Sequence, residues 1–370
     1  CAEGYVTVKN SDGTYGVKEG KYVAEVNGKK YETLQAAVDA ATNGQTVTLI
    51  ADVDLTETLI IKDKTITLDL NGKTISNSTD IWNEGTYSWS LISVRDNGVL
   101  TIDDIVGGGT LKAKENDCFT LDVYADDTKN VENTRLIVNA GNYIGNISAV
   151  YAYTGKVTIN GGHFSIQQKE SGSDPYRLTL NCYDSSYTAG RAGFTVNGGT
   201  FENFDPRNHL AEGAGTCFVA DGVGVDKNTD GTFTAKSGMA AQIVDADGNS
   251  VAAYDAHFNA IAAAKDGETV ILLSDRKNFV TNTINANITI DLNGKTLSLG
   301  NNNPFFRTNG EVTIQNGTIT NTSNYACAIV NAYNKLTLKN VKITGVTGDG
   351  KNLVNVCSNA EVTIDKDTVL

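Results

Sequence analysis

Short runs of alternating apolar and polar residues recur along the whole chain. The unit is apolar, Thr, apolar, then Asp, Asn or another polar residue, often with a glycine after it. It reads ITLDLNG (66–72), LTIDD (100–104), LIVNAG (136–141, with Ile in place of Thr), VTINGG (157–162) and FTVNGG (194–199). Further on it reads ITIDLNG (288–294), VTIQNG (312–317), LTLKN (336–340) and VTIDKD (362–367). A period of two predicts strands with two side chains inward and the Thr outward. Several units follow a turn and an earlier strand: SVRDNGVLTI (93–102), VYAYTGKVTI (150–159), FFRTNGEVTI (305–314), VNAYNKLTL (330–338) and NVCSNAEVTI (355–364). Val94, Tyr151, Phe306, Val330 and Val356 each stand eight residues before the second apolar position of the following unit. All five are expected to point inward.

The spacing of the units suggests the architecture. Ile290, Ile314, Leu338 and Ile364 are 24, 24 and 26 residues apart, and Leu68, Ile102, Val138, Ile159 and Val196 are 34, 36, 21 and 37 apart. Steps in the low to mid twenties fit one coil of a parallel β-helix, and longer steps fit coils with insertions. The longer gaps could also hold βαβ crossovers, but they lack helical periodicity. On a larger scale the chain is duplicated. DLNGKTIS (69–76) returns as DLNGKTLS (291–298), and NGQTVTLIAD (43–52) as DGETVILLSD (266–275), with offsets of 222 and 223. A helix is predicted at the start of each copy. In 31–44 it places Leu34, Ala37, Val38 and Ala41 on one face with Thr33 as N-cap, and in 253–265 the pattern is looser. Such helices would cap an open strand edge. Hairpin signals in TDGTF and DADGNS mark a small β connector. The expected division is a remnant of a preceding module (1–22), a first β-helix module (23–200), a β connector (201–252) and a second β-helix module (253–370), whole or truncated.

Composition narrows the class. Glycine numbers 37 against 3 prolines, which suits many tight turns. A net charge of −13 argues against a nucleic-acid footprint. No apolar run approaches the roughly 18 residues of a membrane span. The six cysteines form no CxxC pair and are expected to be mostly free and buried. The only methionine is Met239. Residues 1–20 repeat the exit near 211–233, so the chain reads as part of a longer array of modules. A lipid-bearing Cys1 is the competing reading.

The helix followed by TVTL, the DLNGKTI turn, the NGGTF-like turns and the exit FENFDPRNHLAEG (201–213) leading to DGTF resemble repetitive extracellular proteins of anaerobic, largely gut-associated bacteria. These lie within the broad pectin-lyase-like right-handed β-helix class, and the resemblance covers nearly the whole chain. It implies an all-β chain of right-handed parallel β-helix (solenoid) modules in tandem. It is far less specific for activity, because this fold hosts enzymes, adhesins and stalks alike.

Catalytic equipment is sparse. The adjacent pairs Asp103-Asp104 and Asp126-Asp127 point to opposite faces of a strand, so neither alone makes a hydrolase site. GGHF (161–164) only superficially resembles the histidine signature of β-helix hydrolases, and His163 is read as a surface residue beside a turn. A lyase base would need an acidic calcium site nearby, whereas Arg95 and Arg307 occupy equivalent turn positions that suggest a structural place. His163, His209 and His257 are scattered. Asp226, Asn228 and Asp230 match the first half of an EF-hand loop, but Ser237 replaces the twelfth-position Glu, so a hairpin turn competes with calcium. No cofactor is otherwise expected.

Two insertions are candidate binding surfaces. Residues 77–91 carry Trp82, Tyr87 and Trp89. Residues 174–191 carry Tyr176, Arg177, Tyr183, Tyr187 and Arg191. The alternative is that these side chains fold back and cover the insertions. The expectation is a non-enzymatic extracellular stalk or adhesin on a bacterial cell surface, presenting a face to glycans or to host and matrix proteins. A polysaccharide lyase or glycoside hydrolase is the rival, and a purely structural spacer the third reading. No nucleic acid and no membrane span are expected.

Overall fold

The computed structural model describes residues 5–126, 128–168, 177–278, 280–299, 305–321, 328–345 and 352–370. It is mostly β, with predominantly parallel sheets. The chain divides into two compact units: residues 1–204 with 209–218, and residues 205–208 with 219–370. Residues 201–252, read from the sequence as a connector, are thus shared between the two.

In the first unit the chain visits three sheets in a fixed order. One sheet takes Thr46–Leu49, Thr65–Asp69, Val99–Asp103, Arg135–Val138, Gly155–Ile159 and Ala192–Val196. The second takes Val53–Asp54, Thr74–Ser76, Thr110–Lys112, Asn142–Gly145, His163–Ile166 and Gly199–Glu202. The third takes Leu59–Lys62, Ser90–Arg95, Phe119–Tyr124, Val150–Ala152 and Leu180–Cys182. Every neighbouring pair among these strands is parallel. In the first sheet Leu68, Ile102, Val138, Ile159 and Val196 lie directly opposite one another and are buried, as the spacing predicts. Ile290, Ile314, Leu338 and Ile364 also lie opposite one another in the second unit, the first three buried and Ile364 46% exposed. The core is a set of such columns. An aromatic one, Tyr143, Phe164 and Phe201, stacks at 4.9 and 5.1 Å in the second sheet.

Of the five expected inward positions, Tyr151 is reversed and Val356 moves to a neighbouring inward column. Val94 is opposite Val123, which is opposite Ala152, so Tyr151 belongs to the outward row with Ser93 and Asp122. Its strand reaches the next one through a turn one residue shorter than that after Val94, which shifts the phase and reverses the face. Val356 is opposite Ala332 and 54% exposed. Val354 takes the place opposite Val330, because two extra residues separate it from the following strand.

Both units open alike. An antiparallel hairpin, Ala24–Val26 with Lys29–Tyr31, or Ala241–Val244 with Ser250–Tyr254, pairs antiparallel to the first strand of the parallel ladder. A short helix follows, Leu34–Ala40 or His257–Ala263. The Thr33 hydroxyl accepts the Ala36 N–H at 3.2 Å, and Leu34, Ala37, Val38 and Ala41 are buried as the helical pattern requires. The repeated DLNG also repeats its geometry. Asn71 and Asn293 are left-handed (φ 49° and 50°). Each donates its backbone N–H within its own turn, Asn71 to Asp69 at 2.9 Å and Asn293 to Asp291 at 2.7 Å. Each side-chain amide then ties back one repeat, to the Leu49 carbonyl or the Leu272 carbonyl.

The last turn of the first unit is plugged by His209, whose ring lies 4.5 Å from that of Phe204 and 4.4 Å from that of Phe218. Its Nδ1 accepts the Ala211 N–H at 3.2 Å. Burial drives the imidazole down to about 3. The folded chain holds it neutral while the unfolded chain protonates it near its ordinary value. Its contribution is therefore complete above about pH 6.5 and lost as pH falls toward 3.

Two outcomes follow. Ile314→Ala, at a fully buried column position, is expected to cost about 2–5 kcal/mol in denaturant unfolding; a loss within experimental error would contradict the stacked core. His209→Phe should flatten the loss of stability between pH 6.5 and 3 relative to the parent chain, measured as melting temperature against pH. Parallel curves would show that His209 is not the group responsible.

Candidate functional site

The third sheet of the first unit carries the candidate site. Its inward rows are apolar: Leu59, Ile92, Leu121, Val150 and Leu180, then Ile61, Val94, Val123, Ala152 and Cys182. The alternate positions form the outer face. One outer row runs Ile60, Ser93, Asp122, Tyr151 and Asn181. Lys62, Arg95 and Tyr124 begin the next.

The insertion between Thr74–Ser76 and Ser90–Arg95 folds over this face. The Asp117 carboxylate accepts the N–H groups of Ile81 (3.0 Å) and Trp82 (3.1 Å) and the Asn77 side-chain amide (2.6 Å). At the far end the Arg95 guanidinium donates to the Tyr87 carbonyl at 2.7 Å and, from Nε, to the Ser93 hydroxyl at 3.0 Å. Ser93 in turn donates to Asp122 at 2.9 Å, and Ser90 donates to the other carboxylate oxygen. Asp122 is wholly buried, and burial pushes its carboxyl up to about 6 against the opposing pull of the two hydroxyls and Arg95. Arg95 therefore links a buried acid to the insertion, in keeping with a structural place; Arg307 is exposed.

The insertion lays its aromatic rings onto those of the sheet. Trp82 meets Phe119 edge-on at 5.4 Å, and Tyr87 stacks on Tyr124 at 5.0 Å. Trp89 lies 5.0 Å from Tyr153 and 5.7 Å from Tyr124. Phe119 stacks on Tyr151 at 5.0 Å, and Tyr153 on Tyr183 at 4.5 Å with the planes 8° apart. Trp89 is folded back and buried, whereas Trp82, Tyr87 and Tyr183 remain 38–45% exposed. Between the rings lies a groove of about 510 Å³. Trp82, Trp89, Phe119, Ile147, Tyr151, Tyr153 and Tyr183 line it, together with Ser148, Asn181, Cys182, Asp184 and Ser185.

Four of the residues singled out in the sequence thus converge here: Trp82, Tyr87, Trp89 and Tyr183. Arg191 acts on the cluster through its charge, which opposes the upward shift that burial gives the Tyr153 hydroxyl. Tyr187 turns instead toward Phe218, 6.3 Å away. Arg177 lines no part of the groove, and Tyr176 lies outside the described residues. Phe119, Tyr151, Tyr153, Asn181 and Asp184 escaped sequence reading. The alternation Tyr151-Ala152-Tyr153 is the signal that could have found them, since a small residue between two aromatic ones suits an inward column with rings outside.

One end of the groove is acidic. Asp184 lines it, and Glu212 Oε1 accepts the neighbouring Cys182 N–H at 3.0 Å. Burial pushes the Glu212 carboxyl up to about 7, and the charge of Asp184 adds to the shift.

The other candidates are committed to turns. Asp103 accepts from the Asn139 amide at 2.7 Å, and Asp104 accepts the N–H groups of Gly72 (2.8 Å) and Gly109 (2.7 Å). Asp127 lies outside the described residues. His163 is a partly exposed surface residue, 2.9 Å from Glu202. In the second unit Asp226 holds Lys236 at 2.5 Å and the Ala253 N–H at 2.6 Å. Asn228 donates to Thr232 and Thr234, and Asp230 accepts from Thr232. These are the bonds of the hairpin between Gly224–Lys227 and Thr232–Lys236. Among the described residues no group of three or more His, Cys, Asp or Glu is placed to hold a metal ion. Cys118 and Cys182 are free and buried, Cys217 is free and exposed, and Cys357 is free and half-buried. No helix among the described residues is long and apolar enough to cross a membrane.

Comparison with known proteins yields no match to a family model, a curated protein or a solved structure.

Replacing Arg95 by Ala should free the insertion while leaving the stacked core intact, at a cost of about 1–3 kcal/mol. Both tryptophans of the chain lie in this segment. Their emission should shift to the red and proteolysis within residues 77–89 should accelerate. Unchanged emission and cleavage would mean that Arg95 does not anchor it.

Proposed function

We propose that this chain belongs to a non-enzymatic repeat protein of a bacterial cell surface, a stalk or adhesin whose first unit presents a glycan-binding groove. In this reading both units are right-handed parallel β-helices, part of a longer tandem array, and the capping hairpin and helix mark where each begins. The parallel in-register ladders and the doubled opening support the architecture. The resemblance of the repeats to extracellular proteins of anaerobic bacteria supports the location.

The aromatic groove carries the functional reading. Sugar rings bind through their apolar faces to exposed aromatic side chains, and amphipathic rings at low entropic cost are typical of recognition surfaces. The groove is anchored at both ends of its covering insertion, by Asp117 and by Arg95, so little ordering has to accompany binding. A pure spacer has no use for such a surface.

One observation favours the rival enzyme. Asp184 lines the groove, and Glu212 close by has a carboxyl shifted toward neutrality, which is the pairing that acid–base cleavage of a glycosidic bond employs.

Titration of the whole chain with neutral oligosaccharides, followed by calorimetry, tests the proposal. Saturable binding without turnover is expected, and Trp89→Ala or Tyr153→Ala should weaken it at least about tenfold. Release of reducing ends or of unsaturated products, abolished by Asp184→Asn or Glu212→Gln, would establish the enzyme instead. Binding that survives both aromatic substitutions would place the ligand elsewhere.

A further inference from the structure

Two side chains in the groove have polar atoms without partners. Ser148 is 1% exposed and its hydroxyl makes no hydrogen bond; Asn181 is 7% exposed and its side-chain carbonyl oxygen accepts none. Both line the groove beside the aromatic rings. Buried polar atoms are almost always paired, so a vacancy on two neighbours of one groove asks for a ligand that completes them.

The chemistry of that ligand follows from what the lining supplies. Asn181 offers an acceptor, Ser148 a hydroxyl that can accept or donate, and Asp184 a carboxylate. No lysine or arginine is among the lining residues, and the chain as a whole carries −13. Behind Asp184 stands Glu212, a second acid. A ligand carboxylate would meet an amide oxygen and like charge in a partly desolvated groove, where repulsion between like charges is screened least. A hydroxyl donates to the same atoms while its ring rests on the aromatic faces.

We infer that the groove selects an uncharged, hydroxyl-rich sugar over a uronate, with Asn181 and Ser148 as specificity-determining residues and Asp184 as the group that turns acidic sugars away. This assignment rests on reading the groove as a glycan site. A site built to pair a ligand hydroxyl discriminates more sharply than apolar packing alone, because an unsuitable ligand leaves its polar atoms unpaired.

The test measures binding of the whole chain to three oligosaccharide sets: neutral cello-, xylo- and laminari-oligomers, oligogalacturonate, and oligoglucosamine in its charged form. Neutral oligomers should bind, and oligogalacturonate at least about a hundredfold more weakly. Asn181→Leu and, separately, Ser148→Ala should each weaken neutral binding about tenfold with the melting temperature preserved. Asp184→Asn should narrow the gap between neutral and uronate ligands, a change that a merely structural role does not produce. Equal or tighter binding of oligogalacturonate than of neutral oligomers by the parent chain overturns the selectivity; cationic oligoglucosamine should escape the penalty, and a penalty as large as the uronate's would overturn Asp184 as its source. Sugar binding that depends on Trp89 but ignores Asn181 and Ser148 overturns the residue assignment and leaves the groove reading standing. Failure of every sugar to bind, or binding indifferent to Trp89→Ala, overturns the groove reading itself.

Discussion

In-register parallel pairing between each strand and its counterpart one repeat later is the interaction on which everything else depends. Strands mostly of three to six residues bury too little to be stable alone, and their backbone groups need partners. Pairing Leu68 with Ile102, Val138, Ile159 and Val196 meets both needs at once. Each apolar side chain rests on an equivalent one above and below, so a continuous core grows from short pieces. A shift of one residue would turn the whole strand inside out, which is why the turns must be exact in length and in φ. The left-handed Asn71 and Asn293, bonded to the aspartates of their own DLNG and to the preceding repeat, fix that geometry in both copies.

Regular columns inside leave the outer face free to vary. The connection between Thr74–Ser76 and Ser90–Arg95 is long, and it drops tryptophans and a tyrosine onto the third sheet of the first unit. The outer positions beneath it have changed to match, with Phe119, Tyr124, Tyr151 and Tyr153 facing outward. In the second unit the corresponding outer row is Thr283, Arg307, Asn331 and Asn355. The two copies thus keep one inner pattern and differ where a ligand could touch. Duplication supplied a second frame, whose outer row carries no ring among the described residues.

Holding that furniture requires buried polar groups. Asp122 lies wholly buried, satisfied by Ser90 and Ser93, and Arg95 carries the network to the covering segment. A paired buried carboxylate adds little stability against an apolar replacement, but it fixes geometry, and removing one partner is costly. Here it sets where Trp89 and Tyr87 stand. Ser148 and Asn181 line the same groove with unpaired atoms, so the groove is incompletely satisfied, a condition that the proposed ligand would relieve.

Much of this was determined by the sequence alone. Period-two alternation, repeat spacing and the duplicated DLNG identify the strands, their columns and the start of each copy, because all three are local patterns read along one dimension. Trp82, Tyr87, Trp89 and Tyr183 stand out for their chemistry on insertions. Tertiary structure decided that Tyr151 faces outward, since a turn shortened by one residue reverses the face, and only the local alternation Tyr151-Ala152-Tyr153 signals it in the sequence. It also decided that Ser148, Asn181 and Asp184 line one groove with Trp82, which stands 66 to 102 positions earlier. The physical reason is that stacking brings together positions one or two repeats apart, while insertions of unequal length erase the sequence spacing that would announce their meeting.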